Sequence, residues 1–258
     1  MKFLKFVLPP AIPLLTITMM PSLPVHGAVA NLNPTADAFA TTGPVNDLAT
    51  NNYGGAGALA LSAVGSPKGE FQSVLRFDTS TAKSTFDSLY GAGLWSLQSV
   101  TLRLTAASLN NALFNANSAG SFGVSWMQND GWTEGTGNPN TPTTTGITYS
   151  SLQATFINPL ADEALGTFSY DGSSSGTFVY TLNTPTGITA DLLAGDPVSL
   201  RLSAADSAVS YFFDSRSFGT AASRPVLSIT AVPEPGTIAL LVLGSSLCMV
   251  RAVARRRR

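Results

Sequence analysis

Histidine and cysteine are almost missing from this chain, with one of each in 258 residues. His26 lies near the N-terminus and Cys248 near the C-terminus, so the long body between them contains neither. That excludes a nucleophilic triad with a His base, a Cys nucleophile, zinc held by imidazole or thiolate, and an axial haem histidine. Disulfides are excluded as well, and packing alone must stabilise the fold. Charge is scarce, at 11% of residues, and unevenly placed. Seven of the 14 Lys and Arg residues sit at the ends, at Lys2, Lys5, Arg251 and Arg255 to Arg258. Of the 15 acids only Glu234 lies outside Asn31 to Ala231, so the body sets seven basic residues against fourteen acidic ones, a net charge of −7. A surface so poor in cations is wrong for phosphate backbones, and no nucleic-acid partner is expected. Neither EF-hand spacing nor an internal repeat is present. What remains is carboxylate, hydroxyl, amide and aromatic chemistry, which suits a sugar-binding surface or an oxygen-ligated Ca²⁺ better than most enzymes.

The ends are of a different kind. Lys2 and Lys5 precede an apolar stretch from Phe6 to Met20, and small residues follow at Gly27-Ala28 and Ala28-Val29-Ala30. This order is that of a signal peptide, assigned to residues 1–30. At the other end Val232-Pro233-Glu234-Pro235-Gly236 leads into an apolar run from Thr237 to Val250, then Arg251 and the block Arg255, Arg256, Arg257 and Arg258. The run is expected to insert as a transmembrane helix while the guanidinium groups stay on the cytoplasmic side and fix its orientation. Its length of about 21 Å, at ~1.5 Å per residue, falls short of roughly 30 Å of hydrocarbon, so the anchor is marginal.

The tail from Val232 to Arg258 resembles the PEP-CTERM sorting signal of Gram-negative bacteria. The resemblance implies processing near Pro233, Glu234 and Pro235 by an exosortase, an integral-membrane cysteine transpeptidase, in bacteria that make exopolysaccharide. It speaks of destination, not of activity.

Along the body the hydrophobic period is two. Val100, Leu102 and Leu104 alternate with polar neighbours, as do Phe122, Val124 and Trp126, then Phe178, Tyr180 and Leu182. Val198 to Leu202, Val209 to Phe213 and Leu227 to Ile229 repeat the pattern, and less regular runs occur at Ala58 to Val64, Gln72 to Phe77 and Gly166 to Tyr170. Turn-formers separate them. Thr81 to Tyr90 and Ile188 to Leu193 are expected as short helices, and Asn138 to Thr145 as a long loop. Many short strands at this spacing predict an all-β, single-domain β-sandwich of jelly-roll type over residues 31–231.

A second resemblance rests on the order of local sequences. Asp37-Ala38-Phe39, Asn52-Tyr53-Gly54, Ser73 to Asp78, Ser99 to Leu104, Trp126 to Glu134, Asp214-Ser215-Arg216 and Arg224 to Leu227 together resemble the DNRLRE-type domain. That is an all-β module of secreted and surface proteins related to some carbohydrate-binding modules. Members often carry Ser-Arg-Glu near the end; here Ser217 follows Arg216, so no role for that acid carries over.

Several residues are candidates for ligand contact. Trp132, in a glycine-flanked loop beside Asp130 and Glu134, is placed to stack on a pyranose while the acids accept hydroxyl protons. Arg216 and Arg224 could fork onto a sugar carboxylate or sulfate. Trp126 and Trp95 are expected in the core, and Arg76 and Arg103 to serve the sheets structurally. No cofactor is expected beyond a structural Ca²⁺, for which Asp37, Asn52, Asp78 and Asp214 offer hard oxygen ligands. A glycosidase would need two carboxyls about 5.5 Å or 6.5–9.5 Å apart, and Asp130 with Glu134 is the pair on offer. The sequence reads as a non-catalytic, exported surface or matrix protein associated with exopolysaccharide; the alternative is a polysaccharide-active hydrolase or lyase using Asp130, Glu134 or a tyrosine.

Overall fold

Strands that alternate apolar and polar residues bury one face each, and two antiparallel sheets meeting face to face satisfy them all. The computed structural model has that arrangement. It describes residues 27–107, 118–234 and 236. Residues 1–26, Pro235 and residues 237–258, with Arg251, Arg255, Arg256, Arg257 and Arg258, lie outside the described residues, and with them most of the expected signal peptide and the expected transmembrane helix.

Within the described residues the strands are β1 (Ala28–Leu32), β2 (Ala36–Thr41), β3 (Ala58–Ser62), β4 (Phe71–Phe77), β5 (Trp95–Thr105), β6 (Gly120–Met127), β7 (Glu163–Tyr170), β8 (Thr177–Leu182), β9 (Val198–Ala204), β10 (Ser210–Asp214) and β11 (Val226–Pro233). One sheet has the order β1-β11-β5-β8; the larger has β10-β3-β4-β9-β6-β7, with β2 paired to β4. Every pairing is antiparallel.

The inner faces are those the alternation marked. Val100, Leu102 and Leu104 of β5 are fully buried, as are Phe122 and Val124 of β6 and Leu200 and Leu202 of β9. Phe122 is the centre of an aromatic cluster: Tyr180 lies edge-on at 5.1 Å, Phe213 at 5.9 Å, Phe168 at 6.0 Å and Tyr211 at 6.2 Å. Offset and edge-to-face pairs like these add to the area term. Trp126 and Trp95 are in this core as expected, and each indole N–H finds an acid, Asp191 Oδ2 at 2.8 Å and Asp87 Oδ1 at 2.8 Å.

Two expected helices form. Helix α1 (Ser80–Tyr90) buries Ala82 and Phe86, one turn apart, and stops at Gly91, whose φ of 95° an L side chain resists. Tyr149–Ser151 is a helical turn, α2, closed by a capping box from Thr148. Helix α3 (Thr186–Ala194) buries Ile188 and Leu192 and ends at Gly195 in the left-handed region.

Two strands go beyond the alternation reading. β1 includes Ala28 to Ala30, assigned above to the leader; Ala28 stands opposite Ala231 and its N–H donates to Tyr90 Oη at 2.8 Å. β11 runs two residues past Ala231, so Pro233 pairs with Trp95 and the Glu234 N–H reaches Leu94 O at 3.0 Å. β2 is buried at all six positions. Its outer face, Ala36, Ala38 and Ala40, is covered by Met127, Trp132, Ile147 and Leu152, because the connection from β6 to β7 folds back over the large sheet.

Replacing Phe122 with Ala removes the hub of the aromatic cluster and leaves a cavity its neighbours cannot collapse into. A loss of about 3–5 kcal/mol is expected, read as a lowered urea midpoint with an unchanged m-value.

Candidate functional site

Four residues chosen from distant parts of the sequence meet in space. Asp37 comes from β2, Asn52 from the β2–β3 connection, Glu134 from the β6–β7 connection and Arg216 from the turn after β10. Arg216 donates through Nε to Glu134 Oε1 at 2.8 Å and through Nη2 to Oε2, a bidentate pair, while its backbone N–H donates to Asp37 Oδ2 at 2.6 Å. One residue thus ties two loops to a strand. Glu134 engages the Nε–Nη2 edge of Arg216, so a sugar carboxylate or sulfate would have to meet the guanidinium on its Nη1 side. Glu134 itself is spent on the pair.

Asn52 is wholly buried and has four partners. Its Nδ2 donates to Glu134 O at 2.6 Å and Ile147 O at 2.7 Å; its Oδ1 accepts from Gly54 N at 3.2 Å and Gly137 N at 3.1 Å. The amide therefore uses both donors and both lone pairs on backbone groups that a long irregular connection would otherwise leave unsatisfied. The loop approaches so closely that a Cβ on Gly137 would stand 2.0 Å from Asn52 O, and one on Gly135 2.2 Å from Asn52 Oδ1. Glycine is required there by space as well as, at Gly135, by a φ of +76°.

The set Asp37, Asn52, Asp78 and Asp214 does not form one oxygen cage. Asn52 has no free oxygen lone pair for a cation. Asp78 is exposed and takes the Ser80 N–H at 3.0 Å at the start of α1; the Ser80 hydroxyl and N–H hold its carboxyl below the usual range. It follows the end of β4, three residues on from Leu75, the partner of Asp37, a separation of about 10 Å at ~3.3 Å per residue. Among the described residues no three acids, histidines or cysteines converge as metal ligands.

Trp132 is 1% exposed, so its ring presents no face to a sugar, and the platform expectation is corrected. Its indole N–H donates to Ser199 Oγ at 2.9 Å, and the Arg76 guanidinium lies 5.0 Å from the ring centre. Arg76 Nη1 also donates to Asp130 O at 2.9 Å and Trp132 O at 2.7 Å, fastening the loop that carries them. Arg224 Nε turns to Phe218 O at 2.9 Å within its own loop, and Arg103 Nη2 supports Ala222 O at 3.2 Å.

Sequence reading passed over Arg201. It sits between Leu200 and Leu202 in β9, facing outward, and donates to Gln72 Oε1 at 3.4 Å; Gln72 in turn donates to Glu70 Oε1 at 2.6 Å, and the Tyr149 hydroxyl to Glu70 Oε2. Burial lowers the Arg201 pKa. A polar place inside an alternating strand was its only sequence signal.

Burial pushes the Asp37 carboxyl up to about 7, helped by Glu134 and opposed by the Arg216 N–H. Asp130 is raised to about 6 by burial, against the pull of Ser199 and Arg76, and Asp214 to about 6 by burial alone. Each keeps its proton longer in the folded chain than in the unfolded one, so the folded state binds more protons and stability falls as pH rises. For Asp37 the contribution is full below its ordinary 3.8 and lost by about pH 7. That decline is on the order of 4 kcal/mol. Urea unfolding from pH 4 to 8 should trace it, and Asp37→Asn, which keeps an acceptor for the Arg216 N–H, should flatten it; an undiminished slope in that variant would remove Asp37 as the cause.

No protein-family model and no curated protein matches this chain, so the residues and their geometry carry the functional argument alone.

Proposed function

We propose that this chain is an exported, non-catalytic surface or extracellular-matrix protein, sorted by a PEP-CTERM-like tail, processed by an exosortase-type transpeptidase and associated with exopolysaccharide. The observation that carries the reading is the tail itself: a Pro-Glu-Pro motif, an apolar run and an arginine block in that order from Val232 to Arg258. The fold adds support at the junction. Pro233 and Glu234 are fastened to Trp95 and Leu94, so the motif follows the sandwich without a spacer.

The body is a jelly roll resembling the DNRLRE-type domain. In favour stands the strand order: β1 lies beside β11 in one sheet, β4 beside β9 in the other, and the chain crosses between sheets at β1–β2, β4–β5, β5–β6, β7–β8, β8–β9 and β10–β11. Such crossings are those of two nested Greek keys.

The non-catalytic reading draws on how the reactive groups are used. Glu134 and Arg216 close a loop on a loop, and Asp37 accepts from the backbone. Burial drives Tyr170 up to about 12 and raises Tyr180 and Tyr211 further, the wrong direction for a base that must ionise near neutrality. One feature favours the enzymatic alternative: Asp130 has a raised pKa and its Oδ1 is buried without a hydrogen-bond partner. Incubating the protein with acidic and neutral polysaccharides should yield no new reducing ends or unsaturated products. Turnover that disappears in Asp130→Asn or Glu134→Gln would make the protein an enzyme.

The sorting reading is tested by fractionation and intact-mass analysis in a native host, with and without the processing enzyme. The expected product ends between Pro233 and Pro235 in the outer or matrix fraction and depends on that enzyme. Recovery of a full-length tail in the inner membrane would make this a plain anchored protein.

A further inference from the structure

Two open sheets have four end strands, β2 branching from β4 adds a further edge that the Phe39–Tyr53 bridge covers, and an unguarded edge is a template for another strand. Three of the four end strands are guarded here. β1 is covered by α1, whose Tyr90 hydroxyl takes the Ala28 N–H. β10 makes bridges from Ser210 to Ser118 and from Phe213 to Ala106. β7 carries Glu163, is broken by a register shift at Gly166, whose φ is +147°, and gives its Leu165 carbonyl to Asn183 N at 2.8 Å.

β8 has no helix cover, bulge or bridge from Thr177 to Leu182, and the bond to β7 is made only by Asn183 beyond its end. Thr177-Phe178-Val179-Tyr180-Thr181-Leu182 contains no charge, proline or glycine, and it pairs with β5 without a bulge from Thr105↔Thr177 to Val100↔Leu182. Among the described residues no strand pairs with its other side. Val179 is 62% exposed and Thr177 and Thr181 are exposed with it. The adjoining outer face carries no acid. Its cross-strand rows are Thr177–Thr105, Val179–Arg103–Val226 and Thr181–Thr101–Ser228–Asn31. On a body of net charge −7, this is a face where a second copy meets no carboxylate.

We propose that β8 pairs antiparallel with β8 of a second copy, joining the two four-stranded sheets into one. A dyad normal to the sheet keeps outer residues on the outer face, so Val179 must oppose an outer residue of the partner. The register that retains most pairs sets Val179 against Val179, Thr177 against Thr181 and Phe178 against Tyr180. Each of these is a favourable cross-strand pair, β-branched with β-branched and aromatic with aromatic. The two Arg103 side chains end about three strand spacings apart, roughly 14 Å, beyond the ~8 Å screening length at physiological salt. Because the far edge β1 is guarded, pairing closes at two copies and does not propagate.

Cysteine cross-linking of the full chain tests the register, with Cys248→Ser as background so that no native thiol competes. In Val179→Cys the two Cα atoms stand about 4.5–5.5 Å apart, inside the range a disulfide accepts. Under mild oxidation at low micromolar protein, in mild detergent, this variant should become mostly covalent dimer. Thr181→Cys places its thiols four residues out of register, about 13 Å apart, and should not link. Val29→Cys, 56% exposed on the guarded edge, sets the level of random collision. The proposal fails if Val179→Cys links no more than Val29→Cys, or if Thr181→Cys links equally well. In parallel, Val179→Lys should convert a sedimenting dimer to monomer with an unchanged far-UV spectrum; an unmodified chain that is monomeric throughout would also overturn it.

Discussion

With no thiol in the body, nothing covalent holds the sandwich together, and the meeting of the two inner faces has to do so. Every inward position of β5, β6 and β9 that alternation marks is large and apolar, and the aromatic rings gathered around Phe122 bridge strands of both sheets. That contact fixes the separation of the layers, and the separation fixes where the connections can run. Tyr180 and Tyr211 bring hydroxyls into this core without hydrogen-bond partners. Each such group costs about 1–3 kcal/mol, so the rings are kept for their packing at the expense of their polar ends.

Outside the core, the polar side chains mostly serve the backbone. A connection as long as that between β6 and β7 carries amides and carbonyls with no ladder to join. Asn52 satisfies three of them and the Gly54 amide besides, and Arg76 takes two carbonyls of the same segment. Arg103 and Arg224 do the same for the loop before β11. The residues whose chemistry drew attention in the sequence are therefore those that hold irregular chain to regular chain. Guanidinium and carboxamide groups suit this work because each presents several directed hydrogen bonds.

How much of this was legible depended on whether a strand had one wet face. β5 and β6 did, and their alternation located them to within a few residues. β2 has its outer alanines under Trp132 and Leu152 and its inner Phe39 against Tyr53 and Phe71, so no polar residue marks a period. The same folding-back explains Trp132. A tryptophan among glycines reads as a loop residue open to solvent, but the small side chains of Ala36, Ala38 and Ala40 leave room beneath the loop, and the indole fills it. The meeting of Asp37, Asn52, Glu134 and Arg216 was half visible: the residue types were conspicuous, while their pairing depends on loop paths that no local pattern encodes. The expected leader and β1 overlap at Ala28 to Ala30 because small residues suit both a leader's end and a strand beside Ala231 and Ile229.

The positions of the chain ends constrain assembly. Ala28 stands opposite Ala231, so the segment before β1 and the segment after β11 leave the sandwich side by side, next to the end of α1. A protein held by its tail would thus hang from that end, with the β8–β5–β11 strands running away from the membrane. A dyad normal to the small sheet reverses strand direction, and in a β8–β8 pair the two tails would emerge at opposite ends of the joined sheet. Two copies anchored in one flat membrane cannot reach that arrangement, because one would have to invert. Tethering and strand pairing through β8 are therefore mutually exclusive for neighbours on the same surface, and removal of the tail is the step that would free the edge to find its partner.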